Sequence, residues 1–215
     1  MHPPVASTEH TSPPPGATRI HLSDATSLLA HFDLSDRLRD SSPSAITQLI
    51  KMGIRPIMLT GDTEDSAAVI AHQAGISTWR SRVKPQDKAA AVSALKNGTD
   101  IVGMAGDGIN DAPALASADI SFSMGSGSDV ALEAADITLM RSDLNSVADA
   151  VELSRATMRK IRQNLFFAFI YNVLALPLAA LGMLNPVIAG AAMALSSVSV
   201  VSNSLLLKRW HPSRR

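Results

Sequence analysis

The sequence predicts an α/β chain: a doubly wound parallel sheet, followed by a pair of long apolar helices. Three observations predict it. Short apolar runs alternate with amphipathic stretches from about Ile20 to Ala150, the pattern of strands joined by covering helices. Glycines and an Asn-Gly pair stop the amphipathic stretches at regular intervals. Two uncharged apolar stretches then follow, each about 20 residues, the length that crosses a bilayer as a helix.

Residues 1–19 are rich in Pro, Ser and Thr, with Pro13-Pro14-Pro15-Gly16 at their centre. They contain no apolar run, so they read as neither signal peptide nor span, and a disordered leader is expected. Residues 20–145 carry the α/β pattern. Leu28-Leu29-Ala30-His31-Phe32 is expected as a strand. Ser44 to Met52 reads as a helix with Ala45, Ile46, Leu49 and Ile50 on one face and Gly53 after its end. Pro56 to Leu59 is a short strand. Thr63 to Ala74 is a helix stopped by Gly75, and Pro85 to Leu95 is another, ended by Asn97-Gly98. Ile101 to Met104, Ile120 to Ser123 and Ile137 to Met140 are three further strands. Residues 146–164 form a connecting basic helix, read as Ser146 to about Gln163.

Residues 165–207 hold the two apolar helices, Leu165 to Leu184 and Pro186 to Leu207, turned at Asn185-Pro186. Arg155, Arg159, Lys160 and Arg162 precede them. Lys208, Arg209, Arg214 and Arg215, in the basic tail 208–215, follow. The positive-inside rule places both ends in the cytoplasm, with a multi-pass location in the plasma membrane. The alternative for these helices is a buried hairpin of a soluble domain.

Composition narrows the function classes. Lys+Arg and Asp+Glu are both 19, and a net charge of zero argues against a nucleic-acid partner. There are no cysteines, so neither a disulfide nor a thiolate metal site can form within the chain.

Three strand-end clusters suit phosphoryl chemistry. Gly106-Asp107-Gly108-Ile109-Asn110-Asp111 follows the strand Ile101 to Met104. Its glycines permit close approach to a ligand, and Asp107 and Asp111 are hard oxygen donors suited to Mg²⁺. Gly-Asp-Gly alone is equally a turn with capping aspartates. Thr60-Gly61-Asp62 ends the strand Ile57 to Leu59 and precedes a helix, an anion-binding arrangement, although Thr60 could equally be an N-cap. Lys88 would neutralise charge on a transferring group. By itself it would be a solvated helix residue.

Together these residues carry a resemblance. Thr60-Gly61-Asp62, Pro85-Gln86-Asp87-Lys88 and Gly106 to Leu115 stand in the order found in P-type ATPases, phosphotransferases of the haloacid dehalogenase superfamily. Ala118-Asp119-Ile120, Gly125 to Ala131 and Glu133 to Met140 resemble the heavy-metal branch. The resemblance implies a haloacid dehalogenase-like phosphorylation domain with Asp107 on Mg²⁺. It implies that Asn110 and Asp111 hold the phosphoryl group. It puts Lys88 and Thr60 on phosphoryl oxygens, with Gly61 and Asp62 shaping the loop. Tyr171-Asn172 and Met193 with Ser196-Ser197 resemble the Cu(I) path of copper-class pumps, giving Tyr171, Asn172, Met193 and Ser197 as ligands of the transported ion. A thioether suits Cu(I). Zinc-class pumps would place a lysine and an aspartate in these spans, and neither occurs. Read without the resemblance, the same residues are helix glue and space-filling.

The chain departs from the family pattern. It contains no Asp-Lys-Thr-Gly-Thr nucleophile, no Thr-Gly-Glu, no Cys-Pro-Cys and no nucleotide-domain His-Pro in context. The resemblance therefore implies an incomplete sheet lacking its central strand, and a fragment of an ATP-driven Cu(I) exporter that is inactive alone. The expected partners are the membrane and the N-terminal part of such a pump, or a full-length pump. Two alternatives are a non-catalytic partner or regulator of a pump, and a soluble phosphatase of the same superfamily.

Overall fold

A computed structural model describes residues 14, 17–24, 26–34, 37–106, 111–125, 135–182 and 185–213. The chain divides into two compact units, Met1–Val147 and Ala148–Arg215.

The first unit begins with an antiparallel hairpin, β1 (Thr18–Ser23) and β2 (Leu28–Leu34). The Asp24 carboxylate accepts from the Thr26 and Ser27 amides at 2.8 and 2.7 Å, which shapes the turn. An Arg19–Asp33 ion pair of 2.6 Å joins the strands. Then follow α1 (Ser42–Lys51), β3 (Met58–Leu59), α2 (Glu64–Ala74), β4 (Trp79–Arg80) and α3 (Pro85–Ser93). After these come β5 (Gly103–Gly106), α4 (Ala112–Ser117), β6 (Ile120–Met124) and β7 (Ile137–Leu139).

Local chemistry sets these bounds. Pro43 and Pro85 pre-set the first turns of α1 and α3. Gly53 and Gly75, at φ of 77° and 75°, end α1 and α2. The apolar face of α1 buries Ala45, Ile46 and Leu49, but Ile50 is half exposed, so the buried stripe is narrower than the periodicity predicts. The strand expected from Ile101 starts at Gly103. The Asp119 carboxylate takes the Val102 amide at 2.9 Å, and this withholds that amide from the ladder.

Every strand pair after the hairpin is parallel, as expected, but the strands do not form one sheet. β3 pairs with β4, and β5, β6 and β7 pair in that order. The two sets share no ladder, because no strand of the described chain lies hydrogen-bonded between β3 and β5. The core of this unit also includes Ala67 and Ala71 of α2, Leu115 of α4, Phe122 of β6 and Leu139 of β7.

Carboxylates lock the three-stranded sheet. Asp136 accepts from the Ser121 hydroxyl at 2.7 Å and amide at 2.9 Å, and its own amide donates back to that hydroxyl. These bonds, the hydroxyl first, hold the Asp136 carboxyl below the usual aspartate range. Asp119 is lowered by the Val102 amide first, then by Lys96, 2.9 Å away. A carboxyl whose folded pKa is depressed adds stability above its unfolded pKa. That stability is lost as pH falls through the folded value. The unfolding midpoint of this chain therefore drops as pH falls below about 4, and Asp136→Asn flattens that acid limb in a melting series. An unchanged limb in the variant contradicts the assignment.

The second unit is helical. α5 (Asn145–Ala180) starts in the first unit and runs for 36 residues. The helix expected to end near Gln163 and the apolar helix expected from Leu165 are thus one. Nothing at Asn164 breaks the backbone ladder; only the side-chain chemistry changes there. Pro177 is accommodated one turn before the end, and Gly182 follows at φ 69°. α6 (Pro186–Leu205) opens as expected at Asn185-Pro186, with the Asn185 side chain accepting from the Val187 amide at 2.9 Å. A 3₁₀ turn, Leu206–Arg209, continues it.

Hydrogen bonds join the helices near one end. Lys160 Nζ donates to Asn203 Oδ1 at 2.8 Å, Asn203 Nδ2 to Asn164 Oδ1 at 2.7 Å, and Asn164 Nδ2 to Ser204 Oγ at 2.8 Å. α6 therefore runs back along α5. Among the described residues one helical stretch, Ala189–Arg209, is long and apolar enough to cross a membrane.

Candidate phosphoryl and metal-path sites

The clearest polar constellation sits where β5 meets α4. Asp111 occupies the N-cap position of α4 but makes no side-chain cap bond. Its Oδ1 instead accepts from Lys88 Nζ at 2.7 Å. Lys88 lies in the first turn of α3, and the two side chains are 19% and 12% exposed. Lys88 is therefore not a solvated helix lysine, and Asp111 is not a capping aspartate.

Gly106 makes the pair possible. A Cβ there would lie 2.8 Å from Asp111 Cβ and 2.9 Å from Oδ2. Gly106→Ala therefore pushes the carboxylate away from Lys88 and destabilises the fold by about 1–3 kcal/mol, as overpacking does. A melting curve superimposed on wild type contradicts this. Ser123, in register with Gly106, is fully buried, and its Oγ has no hydrogen-bond partner among the described residues. Asp107 and Asn110 lie outside the described residues.

The second cluster is the loop after β3. Thr60 Oγ1 donates to Asp62 Oδ2 at 2.6 Å and accepts from the Asp62 amide at 3.2 Å. Thr60 is not the helix cap: Thr63 caps α2 through the Ser66 amide. The segment after β4 folds against this loop. The Val83 amide donates to the Thr60 carbonyl at 2.9 Å and the Arg82 amide to the Asp62 carbonyl at 2.8 Å. Arg82 reaches that bond at φ 52°, the left-handed region that non-glycine residues seldom adopt. Lys84 then takes the N-cap position of α3 without a side-chain cap bond, so Lys88 follows directly from the segment that holds Thr60. Among the described residues no hydrogen bond links Thr60 to Lys88 or Asp111.

Sequence reasoning missed Glu64. Its carboxylate accepts from the Ser81 hydroxyl and from the Trp79 indole, the latter at 2.9 Å. Those donors, Ser81 first, hold it below the usual glutamate range, and the charge of Arg82 adds to this. Glu64 thereby clamps the β4 segment beside Thr60. A glutamate in the first turn of a helix was visible, but its distant partners were not. Ser123 gave no signal either.

Mg²⁺ needs hard oxygen ligands. Among the described residues no three His, Cys, Asp or Glu side chains gather into a metal group. The donor set that includes Asp111 is nevertheless of the right kind. A Cβ at Gly106 would collide with Asp111 itself, so the glycine makes room for that carboxylate, whose Oδ1 takes Lys88. Asp111 therefore offers one carboxylate to a hard cation such as Mg²⁺, and its expected partner Asp107 lies outside the described residues.

The candidate metal-path residues lie on both helices of the second unit. Tyr171 and Asn172 stand about two turns beyond Asn164 on α5. Ser196 and Ser197 stand about two turns before Asn203 on α6, so all four share one level, with Met193 about one turn further. Asn172 Nδ2 donates to the Ala168 carbonyl of its own helix at 3.0 Å, so it does not join the helices. Met193 is 73% exposed and fills no core space.

Comparisons with known proteins bear on both sites. Residues 8–119 match the family model described as haloacid dehalogenase-like hydrolase. The copper-exporting P-type ATPase of Bacillus subtilis is 52% identical over 176 residues, covering 82% of this chain and 22% of that protein. The copper-exporting P-type ATPase of Staphylococcus aureus is 48% identical over 202 residues, covering 93% of this chain and 25% of that protein. The chain thus spans about a quarter of the length of these relatives. The crystal structure of a zinc-transporting PIB-type ATPase in the E2.Pi state matches with a TM-score of 0.79 at 38% identity. That match covers 89% of this chain and 32% of the other.

Proposed function

This chain belongs to the haloacid dehalogenase-like hydrolase family, and from that premise we propose that it is the C-terminal portion of a copper-exporting P-type ATPase. One observation carries the reading. Matches of 48–52% identity to copper-exporting relatives cover 82–93% of this chain. The zinc-transporting structure is less similar, at 38%, and no lysine or aspartate stands in the apolar helices.

In this reading Lys88 and Thr60 contact phosphoryl oxygens, with Gly61 and Asp62 shaping the Thr60 loop. Asn110 and Asp111 hold the phosphoryl group and the neighbouring loops. Asp107 and Asp111 would hold Mg²⁺, which when bound neutralises charge on the phosphoryl oxygens. The nucleophilic aspartate and the ATP-binding residues come from the portion of such pumps that precedes this stretch. The strand bearing that aspartate fits between β3 and β5, where the two parallel sets share no ladder. Both apolar helices cross the plasma membrane with their basic ends in the cytoplasm. Tyr171, Asn172, Met193 and Ser197 line part of the route of Cu(I), the transported substrate.

Complementation tests the proposal. A copper-sensitive strain carrying the upstream portion of a copper-exporting ATPase regains copper resistance when this chain is co-expressed, and not with either piece alone. Resistance that never returns, with both pieces present in the membrane, contradicts the proposal.

A further inference from the structure

One face of α5 changes character along its length. Arg155, Arg159, Arg162, Phe166 and Phe169 follow one another at alternating steps of four and three residues, so they form a single stripe. Phe166 and Phe169 are 61% and 69% exposed. Around the three arginines runs a shallow groove of ≈ 390 Å³, lined also by Ser154 and Met158. No acidic residue lies between Ser154 and Asn164. Arg159 and Arg162 enter no ion pair among the described residues. Lys160 is turned elsewhere, to Asn203.

The antiparallel pairing adds a second source of charge. Asn203 of α6 lies beside Asn164 of α5. Lys208 and Arg209, one to two turns beyond Asn203, therefore stand level with Arg159. Positive charge is concentrated in one layer, immediately outside the uncharged part of both helices. Guanidinium forks pair bidentately with phosphate oxygens, and exposed phenylalanines directly below suit acyl chains. A soluble phosphate would gain nothing from those phenylalanines.

We propose that the Arg159–Arg162 groove of α5 binds the phosphate headgroup of an anionic phospholipid. The site rests on the reading that these helices span a membrane. It would hold the lipid at the cytoplasmic leaflet, where anionic headgroups attract juxtamembrane basic residues.

Native mass spectrometry of the full chain in detergent, titrated with phosphatidylglycerol or phosphatidylcholine, tests this. Phosphatidylglycerol should be retained at least about tenfold better, and Arg159→Gln/Arg162→Gln should bring the two lipids to parity. Arg159→Lys/Arg162→Lys keeps the charge without the fork and should retain part of the preference. Equal retention of both lipids by wild type overturns the site, as does an unchanged preference in the glutamine variant. So does displacement of the lipid by equimolar inorganic phosphate, which marks a free-anion site. Alkaline carbonate extraction separates the two levels of the argument. A chain that stays in the membrane without lipid preference overturns the site alone, and a chain that is released overturns the spanning reading and the site with it.

Discussion

Lys88→Ala lowers phosphoryl transfer by about 10²–10³-fold in a pump assembled from this chain and its upstream portion, the loss typical when one preorganised electrostatic donor is removed. The lysine is held firmly in place. Pro85 fixes the start of α3, Nζ lies 2.7 Å from Asp111 Oδ1, and the side chain is only 19% exposed. At that depth a charge is screened less than at the surface. Alanine removes the cation and also leaves the Asp111 carboxylate without its counter-charge, a further cost of about 1–3 kcal/mol. Lys88→Arg preserves the charge but replaces a compact ammonium by a planar fork, and an intermediate rate is expected. The initial rate of phosphoenzyme formation at saturating ATP distinguishes the roles. If Lys88→Ala melts earlier but keeps its rate within a few-fold, the lysine only braces α3 against α4.

In a pump assembled from this chain and its upstream portion, Met193→Leu is expected to stop Cu(I) transport while leaving the fold intact. Leucine keeps nearly the volume of methionine but offers no sulfur. Met193 is 73% exposed, and substitutions at such positions change stability by no more than about 0.5 kcal/mol. Changes in the shell beyond a metal's ligands already cost about 10–100-fold in affinity, so loss of a direct ligand should cost at least as much. Cu(I) uptake into inverted vesicles measures it. Transport at the wild-type rate by Met193→Leu removes the thioether from the path.

The two substitutions act in parts of the chain that the sequence reveals to different degrees. The β5–α4 junction is legible because its chemistry is local. Glycine and aspartate after an apolar run mark a strand end there, although the helix α4 that follows is not read from the sequence. The start of α6 at Asn185-Pro186 is legible for the same reason. Contacts that join distant residues are not. Glu64 takes its donors from Trp79 and Ser81, and nothing in their spacing announces that bond. The Lys88–Asp111 pair likewise needs the fold to bring α3 beside α4. β1 is not read from the sequence, and it takes in Thr18 and Arg19, which are expected in the disordered leader; its pairing depends on the turn at Asp24. The continuity of α5 is hidden by a change at Asn164 from charged to apolar side chains. That change marks a different surrounding for the helix, not a break in its backbone. The separation of β3–β4 from β5–β6–β7 among the described residues is expected from the resemblance and not from any local pattern.

The most direct test is phosphorylation from γ-labelled ATP, with this chain and the upstream portion of a copper-exporting ATPase presented singly and together. The account predicts acid-stable label on the upstream polypeptide only when both are present, and its loss with Lys88→Ala. Label on this chain when it is alone would contradict the account, since its 215 residues hold no Asp-Lys-Thr-Gly-Thr nucleophile.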